Sequence, residues 1–339
     1  MKQRDALVLA AAGAGALLAA RSLLRRANEY DLRGKTALIT GGSRGLGLVL
    51  ARELAAEGTN VAVCARDRRE LERAVADLSA RGANAYAFPC DVTDRAQVRE
   101  MVEVVTRHFG RIDVLVNNAG TIQVGPVEVM TVEDFEQAMA IHFWAPLYTT
   151  LAVLPQMRER REGRIVNISS IGGKIAIPHL VPYSASKFAL AGLSDGLRAE
   201  LLKDGVVVTT VCPGLMRTGS PRNANFKGQH RAEYAWFAIS DALPVTSIQA
   251  ERAARQIISA TRRGQAELII TTQAVLAVKF RNLFPEATAD MLALANRLLP
   301  GPGGIGRRRA KGKESESPLA PSLLTTLSDR AAVRNNEMA

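Results

Sequence analysis

Tyr183 and Lys187 stand four residues apart in Tyr183-Ser184-Ala185-Ser186-Lys187, a spacing that puts a phenol and an ammonium on one face of a helix. A free tyrosine titrates near about 10, and a cation held close to it favours the phenolate, so such a pair can trade protons near neutral pH. Spacing alone also fits two residues on an ordinary helix surface. The weight of the pair therefore rests on what else the chain places beside it.

The elements that would position such a pair begin far upstream. Lys35 to Thr40 reads as a buried strand and runs into Gly41-Gly42-Ser43-Arg44-Gly45-Leu46-Gly47. Leu46, Leu50 and Leu54 then fall on one helical stripe, closed by Gly58. Glycines at a strand-to-helix turn expose bare backbone amides and a helix N-terminus, a cradle for pyrophosphate. Their spacing, at Gly41, Gly45 and Gly47, differs from the usual Gly-x-Gly-x-x-Gly.

Thr40-Gly41-x-x-x-Gly45-x-Gly47, then Asn117-Asn118-Ala119-Gly120, then Ser170 thirteen residues before Tyr183, with Lys187, resemble the short-chain dehydrogenase/reductase family. The likeness continues through Asp91-Val92 and Pro213-Gly214-x-x-x-Thr218 and covers residues 32 to 272 in the expected order. It implies a Rossmann-like, doubly wound α/β sheet of seven parallel strands with helices on both faces, in a single domain. It implies hydride transfer from a nicotinamide to a carbonyl carbon, with Tyr183 protonating the oxygen, Ser170 hydrogen-bonding it, and Lys187 binding the nicotinamide ribose and lowering the phenol's pKa. Ser169 is the alternative hydroxyl, but it lacks the thirteen-residue separation. Carried over position by position, the cofactor contacts fall on Gly41, Ser43, Arg44, Gly45, Leu46, Gly47, Arg66, Asp91, Val92, Asn118, Ala119, Gly120, Tyr183, Lys187, Pro213, Gly214, Met216 and Thr218. A homo-oligomer is also expected.

One position departs from the family. Counting from Asn118 puts His142 where relatives carry a catalytic-tetrad asparagine, and no asparagine occurs between Ala119 and Val166. In relatives the asparagine's main-chain carbonyl holds a water, and a backbone group survives substitution. Histidine could support the same kink, add a titrating group to the proton relay, or simply pack.

Strand-like runs at Val61 to Ala65, Ala85 to Pro89, Ile112 to Val116, Arg164 to Ser169, Val206 to Val211 and Glu267 to Thr271 follow the first strand. Helical patterns at Leu71 to Arg81, Gln97 to Phe109, Val132 to Arg160, Tyr183 to Lys203 and Ile248 to Arg263 separate them. Where an enzyme preferring NADH usually puts an acid on the adenosine ribose, this chain has Ala65, then Arg66. With Arg44 these guanidinium groups suit a 2′-phosphate, so NADPH is expected over NADH, Asp67 being a competing partner for either arginine.

The ends differ from the middle. Ala6 to Ala20 is uncharged and apolar, bounded by Lys2 and Arg4 before and Arg21, Arg25 and Arg26 after. Residues 1–29 therefore read as a short membrane anchor with a basic flank that keeps the catalytic domain, residues 30–300, in the cytoplasm. A surface helix and a cleaved signal are its rivals. Residues 301–339 open on Gly301-Pro302-Gly303-Gly304, then Arg307-Arg308-Arg309-x-Lys311-x-Lys313, then Ser, Glu and Pro, a composition expected not to order itself. With a net charge of +11, arginines clustered at the two ends and no aromatic-interleaved basic stripe, lipid rather than nucleic acid is the expected partner. Three cysteines, Cys64, Cys90 and Cys212, read as reduced buried thiols, and four scattered histidines suggest no metal site.

Gly219 to Pro244 is the segment that closes the substrate pocket in the family; here it holds Phe226, Tyr234, Trp236 and Phe237. These suit an apolar ligand or mutual packing, and the expected substrate is a small-molecule carbonyl or alcohol, lipid-like in character. A catalytically weak nucleotide-binding membrane scaffold or redox sensor is the alternative, supported by His142 alone.

Overall fold

The computed structural model describes residues 29–338; the apolar run at 6–20 lies outside the described residues. Seven strands, β1 (Thr36–Thr40), β2 (Asn60–Ala65), β3 (Ala85–Pro89), β4 (Val114–Asn117), β5 (Gly163–Ile168), β6 (Val206–Pro213) and β7 (Glu267–Ile270), form one parallel sheet in the order β7-β6-β5-β4-β1-β2-β3. The seven-stranded α/β expectation holds. Strand order reverses between β1 and β4, and a crevice opens above such a reversal at the carboxyl ends of the strands.

The strands read as unbroken apolar runs because both sheet faces are covered. Leu38, Ala62, Cys64, Leu115 and Ile165 pack on one side with Val98, Met101, Val153 and Met157, from α3 (Arg95–Phe109) and α5 (Ala145–Arg160). Ala37, Ile39, Val61, Val63 and Val116 pack on the other with Leu50, Leu71 and Ile257, from α1 (Gly45–Ala56), α2 (Arg68–Ala80) and α8 (Ala250–Arg262). The alternation within each strand, not its hydrophobicity, decides which core a residue joins. The chain comes into this body where the strands begin, with Glu29 paired to Arg262 at 3.1 Å and Arg263 at 2.8 Å.

The expected helix from Val132 to Arg160 is two helices with a seam. Between α4 (Val132–Met139) and α5 lies a single π turn, Ala140–Trp144, and His142 sits inside it. An i→i+5 turn inserts one residue and re-aims the side chains around it. α6 (Val181–Leu201) carries the Tyr183/Lys187 pair, and α7 (His230–Ala242) lies in the pocket-covering segment.

Beyond β7, α9 (Thr272–Leu283) and α10 (Pro285–Asn296) form a helical pair in which α10 buries no residue. The segment after it corrects an expectation. Instead of a tail without structure, Ala310–Lys311 pairs antiparallel with Asn225–Phe226, Arg309 bonds Asp134 at 2.5 Å, and α11 (Thr326–Arg334) packs on α7. Ala331 and Ala332 are buried there. Composition misjudged this segment because it is ordered by the domain's surface rather than by a core of its own.

Candidate active site

The side chains expected to react converge where β5 ends and α6 begins. Ser170 stands two residues past the end of β5, in extended backbone, and its Oγ accepts from the Gly172 amide at 3.0 Å. The Ser170 hydroxyl is also hydrogen-bonded to the Tyr183 side chain. Gly172 leaves room for this: a Cβ there would sit 3.2 Å from the Tyr183 ring and 3.4 Å from Ser170 Oγ. Ser169, the alternative hydroxyl, is buried and donates to the Lys187 carbonyl at 2.8 Å, so it is taken up by helix α6. Ser170 is the hydroxyl that faces the phenol.

The expected tuning of that phenol takes another form. Lys187 Nζ lies 5.7 Å from the Tyr183 ring centroid and donates to the Ile168 carbonyl at 2.8 Å. Burial lowers the lysine's pKa to about 7. Burial also raises the phenol above its ordinary value, against the lowering effect of the Ser170 hydrogen bond. Desolvation therefore outweighs the Ser170 hydrogen bond, contrary to the expected depression.

His142 is buried against this pair, its ring edge-on to Tyr183 at 5.3 Å. Ser186 Oγ donates to the Tyr183 carbonyl at 2.8 Å, which leaves its lone pairs for His142 Nδ1–H, also at 2.8 Å. His142 Nε2 then accepts from the Thr121 amide at 3.2 Å. Both nitrogens are engaged in the neutral ring, and burial, with the nearby Lys187 charge, pushes its pKa well down. The ring clips the π turn to α6 and to the loop after β4. A buried polar ladder supports it: Thr149 donates to Asn117 at 2.6 Å, Asn117 to Asn167 at 2.8 Å, and Asn167 to Ser194 at 2.8 Å. Asn167, Ser186 and Ser194 carry no sequence signal strong enough to name them beforehand.

On the other side of the crevice the glycine turn lacks side chains at Gly41, Gly45 and Gly47, but the Gly45 amide is taken by Asn335 O at 2.9 Å. Gly41 and Gly45 have φ of 64° and 55°, and a Cβ on Gly47 would strike the Gly41 carbonyl oxygen. Asn118 ties β4 to this turn, donating through its side chain to Thr40 O at 3.0 Å and Gly41 O at 3.1 Å. Thr40 Oγ1 in turn accepts from the amides of Asn118 and Ala119. Asp91 accepts from Thr93, and its amide donates to Gln97 at 2.9 Å. Thr218 is buried, its hydroxyl accepting from the Ser220 amide. Met216 lies on Leu215–Arg217, paired beside Ser247–Gln249. These residues fit a dinucleotide: bare backbone at a helix N-terminus, flanked by strand ends.

At the adenosine end the arginines divide. Arg66 is exposed, and Asp67 caps α2 by accepting from the Glu70 amide at 2.9 Å, the guanidinium charges acting on it being those of Arg73 and Arg69. Arg44 bonds Glu70 at 2.7 Å, and Ser43 Oγ bonds the same carboxylate at 2.9 Å. Lys311 from the C-terminal segment feels the charges of Arg44 and Arg66, which with burial push its pKa down. Neither Glu70 nor Lys311 was legible as a site residue, because both reach the turn from elements distant in sequence.

The substrate side is partly packed. Phe226, Tyr234 and Phe237 are buried in one cluster, against which Ile122, Ile177, Tyr183 and Trp236 lie half-covered. Trp236 Nε1 donates to Glu233 at 2.7 Å, and His179 shares that buried carboxylate at 2.8 Å. Three of the four aromatics are therefore wall structure; Trp236 and Tyr183 both lie half-covered against that wall.

Residues 35–227 match the family model described as short chain dehydrogenase. Over 184 residues the chain is 39% identical to "Granaticin polyketide synthase putative ketoacyl reductase 1" of Streptomyces violaceoruber, covering 54% of this chain and 68% of that one. It is 36% identical over 192 residues to the uncharacterized oxidoreductase YxjF of Bacillus subtilis, covering 57% and 75%. A crystal structure of a short-chain dehydrogenase from Streptomyces avermitilis superposes with a TM-score of 0.67 at 32% identity, covering 78% of this chain and 97% of that one.

Proposed function

The chain belongs to the short-chain dehydrogenase family and is an oxidoreductase, and we propose that it reduces a ketone or aldehyde using NADPH, with Tyr183 as the acid. The observation that carries this is the meeting of Ser170, Tyr183 and Lys187 at the crevice edge, across from the bare glycine turn. When bound, a reduced nicotinamide supplies the hydride. Tyr183 O–H gives its proton to the oxygen that becomes an alcohol, and Ser170 donates a hydrogen bond to that oxygen. A phenol held protonated by burial starts in the state that donation requires. Lys187 would hold the nicotinamide ribose, and Gly41, Ser43, Gly45, Leu46, Gly47, Asn118 and Thr218 would hold the rest. His142 acts through the π turn as a positioning residue.

Support for NADPH comes from the cations at the adenosine end, Arg44, Arg66 and Lys311, which suit an added phosphate. An apolar substrate is favoured by Ile122, Ile177 and Trp236, half-covered against the same buried cluster as Tyr183. A lipid surface is favoured by the apolar run at 6–20 and by the exposed Leu276, Leu283, Met291, Leu294 and Leu298 of α9, α10 and the turn after them. Lys279, Arg281 and Arg297 lie exposed among them, the charge an anionic membrane attracts. A redox sensor is disfavoured, since all three cysteines are buried and burial pushes the Cys90 and Cys212 thiols up to about 12.

The test is a panel of ketones and aldehydes of increasing chain length, assayed for NADPH consumption with detergent-purified protein. Apolar carbonyls should be turned over with NADPH favoured over NADH. Faster turnover of short, water-soluble ketones would sink the lipid-like assignment, and equal affinity for both dinucleotides would sink the cofactor assignment.

A further inference from the structure

The end of the C-terminal segment, residues 335–337, has no task in the proposed reaction, yet it lies on the glycine turn. After α11 the chain drops into the cleft: the Gly45 amide donates to Asn335 O at 2.9 Å. The Asn336 side chain donates to Ser43 O at 2.9 Å and Glu70 O at 3.2 Å, and accepts from Arg73 at 2.7 Å. The Glu337 carboxylate lies 3.4 Å from Arg44 Nε and accepts from Asn223 at 2.5 Å. It is seated so closely over the bare Gly45 Cα that a methyl there would collide with it. Behind it, Ala332 packs directly on Gly219, next to Thr218, and Ser328 donates to the buried Asp241 at 3.1 Å.

A backbone amide at a helix N-terminus and a guanidinium are the groups that would take a phosphate, and here both are occupied by an oxygen or a carboxylate from the same chain. We propose that residues 335–337 are an internal competitor for the dinucleotide, with Glu337 standing in for a cofactor phosphate at Arg44, so that the segment must leave before the cofactor seats. The inference rests on the dinucleotide reading of the glycine turn. Its arithmetic is that of a masked site: apparent affinity equals intrinsic affinity times the fraction of molecules with the segment released. By reciprocity the cofactor must loosen the segment to the same extent that the segment weakens the cofactor. Seating also has a cost for the segment, since burial pushes Glu337 up to about 7 despite the facing Arg44. A contact held at such a cost is poised to release.

The experiment uses the full-length protein in detergent. Two variants loosen the segment by unrelated means: Glu337→Ala removes the phosphate mimic, and Ala332→Leu overpacks α11 against Gly219. NADPH affinity is measured by fluorescence titration, and hydrogen exchange across residues 326–338 is followed with and without NADPH. Both variants should bind NADPH at least about fivefold tighter than the unaltered protein, and NADPH should speed exchange in 326–338. Unchanged or weaker binding in both variants, or exchange slowed by NADPH, would show the segment to be a bystander or a wall of the site and overturn the proposal while the dinucleotide reading stood. If neither the unaltered protein nor either variant binds a dinucleotide, both readings fall together.

Discussion

Lys187 shows how burial and chemistry oppose each other at a single residue. Its ammonium is buried, donates to one carbonyl, and has a pKa of about 7 in place of 10.5. Because the folded pKa is depressed, the unfolded chain binds more protons between pH 7 and 10.5. Stability therefore rises with pH through that window, and below it the full penalty is present. Lys187→Met should raise stability at pH 7 by about 1–3 kcal/mol, after loss of the Ile168 bond, while abolishing carbonyl reduction. Thermal melts at pH 7 and pH 10 check this: the gain should shrink at the higher pH. A variant that melts lower at both would mean the lysine is not the strained member of the pair. The sequence named Tyr183, Lys187 and Ser170 from spacing and resemblance, but it gave no warning that desolvation would set the charge of the first two.

At the scale of elements, the π turn at Ala140–Trp144 is the feature spacing could not disclose, since an unbroken helical pattern spans it. Its function as a clip rests on His142 bonding Ser186 and Thr121. Ser186→Ala would leave His142 Nδ1–H buried without an acceptor, at a stability cost of about 1–3 kcal/mol. With the neutral ring engaged at both nitrogens, turnover in His142→Asn should fall without a change in the pH dependence of kcat. A shifted profile would restore His142 to the proton relay. The strands were legible almost to the residue: Ala85–Pro89 matches its expected bounds, because continuous apolar runs between helical stripes have one reading in a doubly wound sheet. The C-terminal segment was not, since its anchoring points, Gly45, Gly219, Asn223 and Asp134, belong to other elements.

Over the whole molecule, residues 35–227 carry both the family match and the proposed catalytic groups, the departing His142 among them, and the outer part of the chain lies beyond that stretch. The helical pair α9 and α10 and the segment returning to the glycine turn belong to this outer part. A shared core thus explains the reaction class, and the membrane attachment and the masking of the cofactor site that we propose are assigned to the outer parts. The central claim is hydride transfer to a carbonyl with proton delivery by Tyr183, and isotope transfer tests it most directly. With NADPH deuterated at the transferring position and an apolar ketone or aldehyde, the unaltered protein should give an alcohol carrying deuterium on the former carbonyl carbon. Tyr183→Phe should still bind the dinucleotide and yield that alcohol about 10²–10⁴ times more slowly. Deuterium transfer by Tyr183→Phe at the unaltered rate would contradict the account.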